Sequence, residues 1–225
     1  MSEQIRLPDG TMVPMDSAEL DPSPADPFQV FDPFLLAPPE WLILGGLGDH
    51  YDAQIARKRW PKVKIIGIDP DPAVIAWQET HDWPEGAALV QAGLAERVKK
   101  GLATQGPICC MSLHSLRIEG IPISDLLAVN LTTLDALERD RGPFNCSILI
   151  LDTEGYDYLA LKGGQQLLAS GRIQLVQIEV WYREEVESSN WVMFQLLGSL
   201  GYEFAVKHFR QWWGHNEVWR RKIGR

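Results

Sequence analysis

The sequence is poor in the features that mark secreted, membrane-spanning and polyanion-binding proteins. Only 3 of its 225 residues are cysteine, and Cys109 and Cys110 are adjacent, so a disulfide scaffold is excluded and reduced thiols are expected. No window approaches the roughly 20 apolar residues of a membrane span. The first residues lack the basic-then-apolar pattern of a signal peptide. These absences predict a cytoplasmic protein with no membrane partner.

Positive charge is also in deficit. The chain has 21 Lys and Arg against 30 Asp and Glu, for a formal net charge of −9. Such a balance argues against nucleic acid as a partner, because polyanion binding needs a basic footprint. Apolar residues make up 45% of the chain, which is enough for one sizeable core and excludes disorder over its whole length.

The composition changes at about residue 40. Residues 1–40 hold eight of the 15 prolines and eight acidic residues against one arginine. Proline removes a backbone donor and disfavours helix in the residue before it, so this segment is predicted to be an extended or irregular arm. Its apolar cluster from Phe28 to Leu36 is expected to pack on the body, and a lid over the active site is the alternative. Residues 41–225 are predicted to form one domain.

Short apolar runs alternate with stretches of helical spacing from residue 41 onward. Strands are predicted at 41–44, 63–68, 87–91, 147–151, 173–180, 202–207 and 217–221. Helices are predicted at 51–60, 73–79, 96–102, 132–139 (with a Thr cap), 159–168 and 191–200. This alternation predicts an α/β fold with a mostly parallel sheet, closed by an antiparallel pair. Ligands of such sheets bind beyond the carboxyl ends of the strands.

Glycines follow the first predicted strand, and a carboxylate follows the second. Gly45, Gly46 and Gly48 let the backbone turn sharply and approach a ligand closely. Asp69 ends the second strand 23 positions after Gly46. A carboxylate at this place can accept hydrogen bonds from both hydroxyl groups of a ribose. The pair predicts a nucleoside cofactor. The alternative is that Asp69 and Pro70 only start the next helix.

The same loop distinguishes between nucleoside cofactors. A dinucleotide fingerprint requires G-x-G-x-x-G, and Tyr51 stands at the third glycine position. S-adenosylmethionine has no phosphate, so its loop does not need that glycine. The sequence therefore favours S-adenosylmethionine, and an NAD-dependent oxidoreductase is the alternative among enzymes.

Four later segments occur in an order typical of one enzyme family. They are V-N-L-T-T-L-D at 129–135, I-L-D-T-E-G-Y-D at 150–157, L-K-G-G at 161–164 and Q-I-E-V at 177–180. Together they resemble the FkbM family of S-adenosylmethionine-dependent methyltransferases, over roughly residues 41–222. The resemblance implies a Rossmann-like class I methyltransferase fold, with a mostly parallel seven-stranded sheet and a C-terminal antiparallel hairpin. It also implies methylation of a hydroxyl on a sugar or a small metabolite.

Two positions depart from that family's pattern. Leu44 stands where the first strand usually ends in an acidic residue, and His50 replaces the last glycine of the loop. Asp49 or His50 can substitute in holding the amino-acid end of the cofactor. These departures leave open a catalytically impaired module that binds a cofactor or nucleic acid. The possibility of nucleic-acid binding rests on the basic, aromatic-rich tail at 207–225. The alternative interpretation of this tail is a solvated hairpin whose aromatic side chains cover the sheet.

The candidate site residues follow the ends of the predicted strands. Asp152 is predicted to face the methyl site as general base, and Glu154 to support the cofactor or loop, or to cap the next helix. His114 is a second candidate base because imidazole titrates near neutrality; a structural role is its alternative. Cofactor contacts are predicted from Gly45, Gly46, Gly48, Asp49, Asp69, Pro70, Gly93, Leu94 and Asp152. Substrate contacts are predicted from Glu179, Trp181 and Tyr182, and the spacing of the acids matches no standard metal-ligand set.

Overall fold

The computed structural model describes residues 4–6, 12–14, 26–47, 53–81, 83–104, 126–181, 184–208 and 214–222. The strands are β1 (Gln4–Arg6), β2 (Met12–Pro14), β3 (Trp41–Gly45), β4 (Lys64–Asp69), β5 (Ala88–Gln91), β6 (Gly93–Leu94), β7 (Lys99–Thr104), β8 (Leu126–Thr132), β9 (Ser147–Leu151), β10 (Ile173–Trp181), β11 (Tyr202–His208) and β12 (Gly214–Arg221). A 3₁₀ helix (Pro27–Phe34) precedes α1 (Ala53–Arg59), α2 (Pro72–His81), α3 (Leu134–Arg141), α4 (Asp157–Lys162), α5 (Gln165–Ala169) and α6 (Glu184–Ser199). Among the described helices, none has the length and apolar content that a membrane crossing requires.

A seven-stranded sheet forms the centre of the fold, in the order β11-β12-β10-β9-β3-β4-β5. The five strands from β10 to β5 are parallel, and β12 and β11 continue the sheet as an antiparallel hairpin. This arrangement confirms the predicted fold class. The chain builds outward from β3 to β5 and later returns to place β9 on the other side of β3. That reversal of strand order puts the expected ligand site at the carboxyl ends of β3 and β9.

The two faces of the sheet are buried by different elements. One face, called face A below, carries Leu44, Ile65 and Ile150 in an apolar cluster with the 3₁₀ helix and α1. The opposite face, face B, carries Ile43, Ile66 and other residues packed against α3 to α6. Because side chains alternate along a strand, neighbouring residues of each strand belong to different clusters. Leu44 is fully buried, so the family's acidic position is occupied here by a core side chain.

The segment around the 3₁₀ helix packs on face A. Phe28 and Phe31 are almost completely buried in that face's apolar cluster. Asp26 and Asp32 both form ion pairs with Arg59 at the end of α1. These ion pairs hold the 3₁₀ helix against α1. The apolar part of the acidic N-terminal region therefore belongs to the folded core, whereas the domain boundary at residue 40 stays a prediction.

The helix predicted at 96–102 is wrong. Residues 99–104 are strand β7, which pairs antiparallel with β8 in a small sheet that also contains β6. Val98 and Leu102 remain 66% and 41% exposed, while Ala103 is buried against Leu131 and its neighbours. The strand conformation of this segment depends on its pairing with β8, about 30 residues away. The prediction failed because local helical spacing carries no information about such a distant partner.

Two of the four family-like segments build the scaffold. The predicted Thr cap is confirmed at Thr133, whose hydroxyl accepts the Ala136 N–H at 3.0 Å at the start of α3. The Asp135 carboxylate accepts the backbone N–H of Leu167 at 2.8 Å and so caps α5. Between α4 and α5, Gly163 approaches the Ala95 carbonyl so closely that a Cβ would lie 2.0 Å from its oxygen. The predicted helix at 159–168 is accordingly two short helices with a glycine turn between them.

Candidate active site

The glycine loop after β3 touches the backbone that follows β9. Gly46 has φ +80°, and a Cβ at this position would lie 1.8 Å from the carbonyl oxygen of Asp152. Its N–H donates to the Ile68 carbonyl at 2.9 Å, and the Asp152 N–H donates to the Gly45 carbonyl at 2.8 Å. Only glycine has both the backbone freedom and the missing side chain that this contact requires. The ends of β3, β4 and β9 are thereby held together.

The Asp69 carboxylate orients the same loop from the end of β4. Asp69 is 6% exposed, and its Oδ2 accepts the Leu47 N–H at 2.8 Å while its Oδ1 accepts the Asp71 N–H at 2.8 Å. Asp71 in turn accepts the Ala73 N–H at the start of α2. Asp69 therefore stands beside the glycine loop and also shapes the start of the next helix, as its alternative interpretation required. Its contact with a ribose stays a prediction.

Acidic side chains gather at the carboxyl ends of β9 and β10. Asp152 is half-buried, and burial together with the charges of Asp157 and Glu154 raises its pKa to about 7. Glu179 is 5% exposed, and burial raises its pKa well above the ordinary value, with the charges of Asp152, Asp157 and Glu154 acting in the same direction. The Trp181 side chain lies close to this carboxyl group and opposes the rise in its pKa. Burial and mutual repulsion therefore favour protonation of the carboxyl groups in this cluster.

Asp157 is a member of this cluster that the sequence prediction missed. It is 2% exposed at the first turn of α4, and burial raises its pKa although three hydrogen bonds oppose the rise. Its Oδ1 accepts the N–H and hydroxyl of Thr153, and its Oδ2 accepts the Glu179 N–H at 3.0 Å. Asp157 therefore ties the loop after β9 to the end of β10. An acid in the first turn of a helix, where the helix dipole favours it, was the available signal.

The other predicted site residues that the structure describes lie in turns and at strand ends around this cluster. Glu154 has φ +54°, so the turn after Asp152 interrupts the strand alternation there. Gly93 and Leu94 form β6 and are buried, and the Leu94 side chain packs against Gly45. Pro70 follows Asp69 directly at the end of β4, and Trp181 ends β10.

Several predicted residues lie outside the described part of the chain. They are Gly48, Asp49, His114 and Tyr182, together with His50 and Tyr51 of the loop. Within the described ranges, no group of three or more His, Cys, Asp and Glu side chains is arranged to hold a metal ion.

Comparisons with known proteins address the fold and the family. The family model described as the methyltransferase FkbM domain matches residues 46–204. The crystal structure of methyltransferase FkbM from Methylobacillus flagellatus KT is similar with a TM-score of 0.51 and 12% sequence identity, over 81% of this chain and 43% of that one. The present chain thus spans less than half of that protein's length, and a likeness at this identity concerns the fold. No curated protein matches the sequence.

Two further solved structures have lower TM-scores. Magnesium protoporphyrin IX methyltransferase from Synechocystis PCC 6803, with bound S-adenosylmethionine, has a TM-score of 0.42 at 14% identity, over 87% of this chain and 75% of that one. A putative rRNA methylase from Clostridium thermocellum has a TM-score of 0.47 at 10% identity, over 87% of this chain and 94% of that one.

Replacing Gly46 by alanine is expected to be far more destabilising than the same change at Gly86. Gly86 also has a positive φ, +75°, but a Cβ there meets no atom within 4 Å. Gly86→Ala should cost about 1–2 kcal/mol of backbone strain. Gly46→Ala adds a clash with the Asp152 carbonyl and should cost about 3 kcal/mol or more. Urea unfolding of both variants measures the difference, and equal losses would contradict the contact between the two loops.

Asp152→Asn is expected to stabilise the fold above pH 7. The carboxyl group titrates near 3.8 when unfolded and near 7 when folded, so the folded state holds the extra proton between these values. The group's contribution is therefore fully present below about pH 4 and is lost as the pH rises to 7. Unfolding free energies across this range should show the variant's advantage growing with pH. Asp140→Asn, at an exposed carboxyl group, is the control, and a parallel pH dependence of variant and wild type would refute the assignment.

Proposed function

Because the chain belongs to the methyltransferase FkbM domain family, we propose that it is an S-adenosylmethionine-dependent O-methyltransferase in which Asp152 is the general base. The observation that carries the proposal is the position of this carboxyl group. It follows β9 directly, its backbone contacts the glycine loop, and burial brings its pKa to about 7. A base with this pKa is half deprotonated at neutral pH and still basic enough to take a proton.

The residues at the ends of β3 and β4 suit the cofactor. Asp69 is an acceptor-only group held in one orientation by two backbone N–H donors, beside a loop without side chains at Gly45 and Gly46. A carboxylate has about four acceptor positions, so orienting bonds and bonds from ribose hydroxyls can coexist on it. The buried Leu94 side chain packs against Gly45 and so supports the loop from behind. These residues would hold the nucleoside, and the carboxyl end of β9 would face its reactive end.

The chain's own contribution to the reaction is alignment and proton transfer. When bound, S-adenosylmethionine supplies a methyl group on a sulfonium: the acceptor oxygen forms the O–CH₃ bond as the S–CH₃ bond breaks, leaving S-adenosylhomocysteine. Asp152 accepts the proton that the acceptor hydroxyl loses, which makes the oxygen a competent nucleophile. Holding the acceptor in line with the methyl group removes much of the entropic cost of the encounter.

Among possible methyl acceptors, a hydroxyl group agrees best with the raised pKa values of Asp152 and Glu179. An alcohol needs a base near it in the transition state, whereas an acceptor that is already anionic needs none and is repelled by buried carboxylates. A sugar or small metabolite with a free hydroxyl is therefore the proposed substrate. The cytoplasmic location of the protein stays a prediction.

The nucleic-acid alternative receives little support from the described part of the tail. Trp219 is 8% exposed and stacks on Phe194 with ring centroids 5.4 Å apart, while Arg221 donates to the Leu168 carbonyl at 3.2 Å. Both side chains thus serve the packing of the hairpin. The NAD alternative is set aside by membership of a methyltransferase family.

Asp69→Asn is expected to weaken S-adenosylmethionine binding by about 1.5–3 kcal/mol, because the amide keeps the side-chain volume but replaces one acceptor oxygen of the carboxylate by a donor and removes the charge. This corresponds to roughly 10- to 150-fold in Kd, which calorimetric titration measures. Asp71→Asn, two residues further on and still able to cap α2, should bind like wild type. Unchanged affinity in Asp69→Asn would refute the proposed ribose contact.

Asp152→Asn is expected to lower kcat by about 10²–10⁴, since the base is lost while the geometry is preserved. Transfer of labelled methyl groups to a panel of alcohols and glycosides identifies the acceptor used for this measurement. Wild-type kcat should rise with pH and level off above about 7, and the variant should lose that inflection. Methylation of amines but of no hydroxyl in the panel, or a variant with wild-type kcat, would overturn the proposal.

A further inference from the structure

Three side chains beyond Asp152 lie side by side at the same end of the sheet. Glu179 of β10 pairs with Asn216 of β12, and Asn216 pairs with His208 of β11. Directly paired residues project to the same face of a sheet with Cβ atoms about 4.5–5.5 Å apart. The three side chains therefore form a row across neighbouring strands, about 10 Å long from His208 to Glu179. We call Glu179, Asn216 and His208 the polar row.

The polar row lies on face A and leads to the proposed base. Val218, two residues after Asn216, belongs to the apolar cluster of face A together with Ile150, two residues before Asp152. Strand alternation places Asp152 and Asn216 on that same face. Gln177 of β10 pairs with Ile150 of β9, so Glu179 and Asp152, each two residues further on, lie next to each other at this edge of the sheet. The charge of Asp152 accordingly contributes to the raised pKa of Glu179. The row thus extends outward from Asp152, away from the glycine loop.

The row contains an unsatisfied buried atom. Glu179 is 5% exposed, yet its Oε2 has no hydrogen-bond partner within the described part of the chain. Buried polar atoms without a partner are rare in folded proteins because each costs free energy. At the other end, the His208 ring Nε2 and the Gln177 Oε1 are 3.0 Å apart, which holds the imidazole at the row. An atom of this kind at the end of a ligand-binding sheet indicates a bond that a bound molecule completes.

The chemistry of the row selects hydroxyl groups. It combines a carboxyl group, a primary amide and an imidazole, which together offer both donors and acceptors. A hydroxyl also donates and accepts, whereas an ammonium ion only donates.

We propose that Glu179, Asn216 and His208 form a subsite for a second hydroxyl of the methyl acceptor, next to the hydroxyl that faces Asp152. The acceptor is then a vicinal diol, such as two adjacent hydroxyls of a pyranoside ring. The Glu179 Oε2 accepts a hydrogen bond from the neighbouring hydroxyl, which keeps its proton, and Asn216 and His208 contact the ring substituents beyond it. This inference rests on the proposed O-methyltransferase function and adds the substrate class to it.

Acceptor pairs that differ in one hydroxyl test the subsite. The probes are the methyl pyranosides of glucose, galactose, mannose and rhamnose, each beside the deoxy counterpart that lacks the hydroxyl adjacent to the methylated one. Labelled methyl transfer gives kcat/KM for both members of a pair. The wild type is expected to methylate at least one of these glycosides, with kcat/KM at least tenfold higher than for its deoxy counterpart.

Variants of the row should lose this discrimination. In Asn216→Leu and in Glu179→Gln, the ratio of kcat/KM for diol over deoxy acceptor is expected to fall at least tenfold. Two variants guard against misfolding of either one, and unchanged S-adenosylmethionine affinity confirms an intact cofactor site. Glu203→Gln is the matched control, because it lies in the same hairpin but at the opposite end of β11, paired with Arg220 at 2.7 Å. The control should keep the wild-type ratio.

The outcomes separate the subsite from the function on which it rests. If S-adenosylmethionine binds and a monohydroxy alcohol is methylated as well as any diol, the subsite is refuted while the methyltransferase assignment survives. The same holds if the wild type binds S-adenosylmethionine but methylates none of the glycosides, or if both variants keep the wild-type ratio. Failure of the wild type to bind S-adenosylmethionine overturns the proposed function itself.

Discussion

The close approach of Gly46 to the carbonyl of Asp152 is the contact on which the site depends. It brings the loop after β3 against the backbone after β9, so the predicted cofactor loop and the candidate base come from strands that are neighbours in the sheet but 106 residues apart in sequence. Asp69 fixes the loop from its other side through the Leu47 N–H. Because the contact is between backbones, the positions of both groups follow from the sheet itself and not from mobile side chains.

The cluster of buried carboxyl groups explains how the same edge can do chemistry. Asp157, which is buried, holds the loop after β9 and the end of β10 in place through three hydrogen bonds. Asp152 and Glu179 then lie side by side at the ends of neighbouring strands, and burial and repulsion raise both pKa values. The protein gives up stability at this edge, as functional sites commonly do, and obtains a carboxyl group that titrates near neutral pH.

Local patterns predicted the large elements and failed where a distant partner decides the outcome. The apolar runs that became β3, β4, β9 and β10 were recognisable because fully buried strands are continuous apolar segments. Residues 99–104 were misassigned as helix because their strand exists only through pairing with β8. Similarly, Asp157 was overlooked because its importance lies in accepting the N–H of Glu179, a residue 22 positions later. The T-L-D segment showed its family but not its role, which is to cap α3 and α5.

By itself, the sequence determined the fold class and the family, and it indicated Asp69, Asp152 and Glu179 as candidate acids, since glycine turns, buried strands and strand-end acids leave a local signature that needs no partner. The tertiary structure alone decided which of these groups meet. Strand order placed Asp152 between the glycine loop and Glu179, and hairpin register placed Asn216 and His208 beside them. The physical reason is that pKa values, buried hydrogen bonds and backbone contacts depend on distances in space, and pairing between remote strands sets those distances.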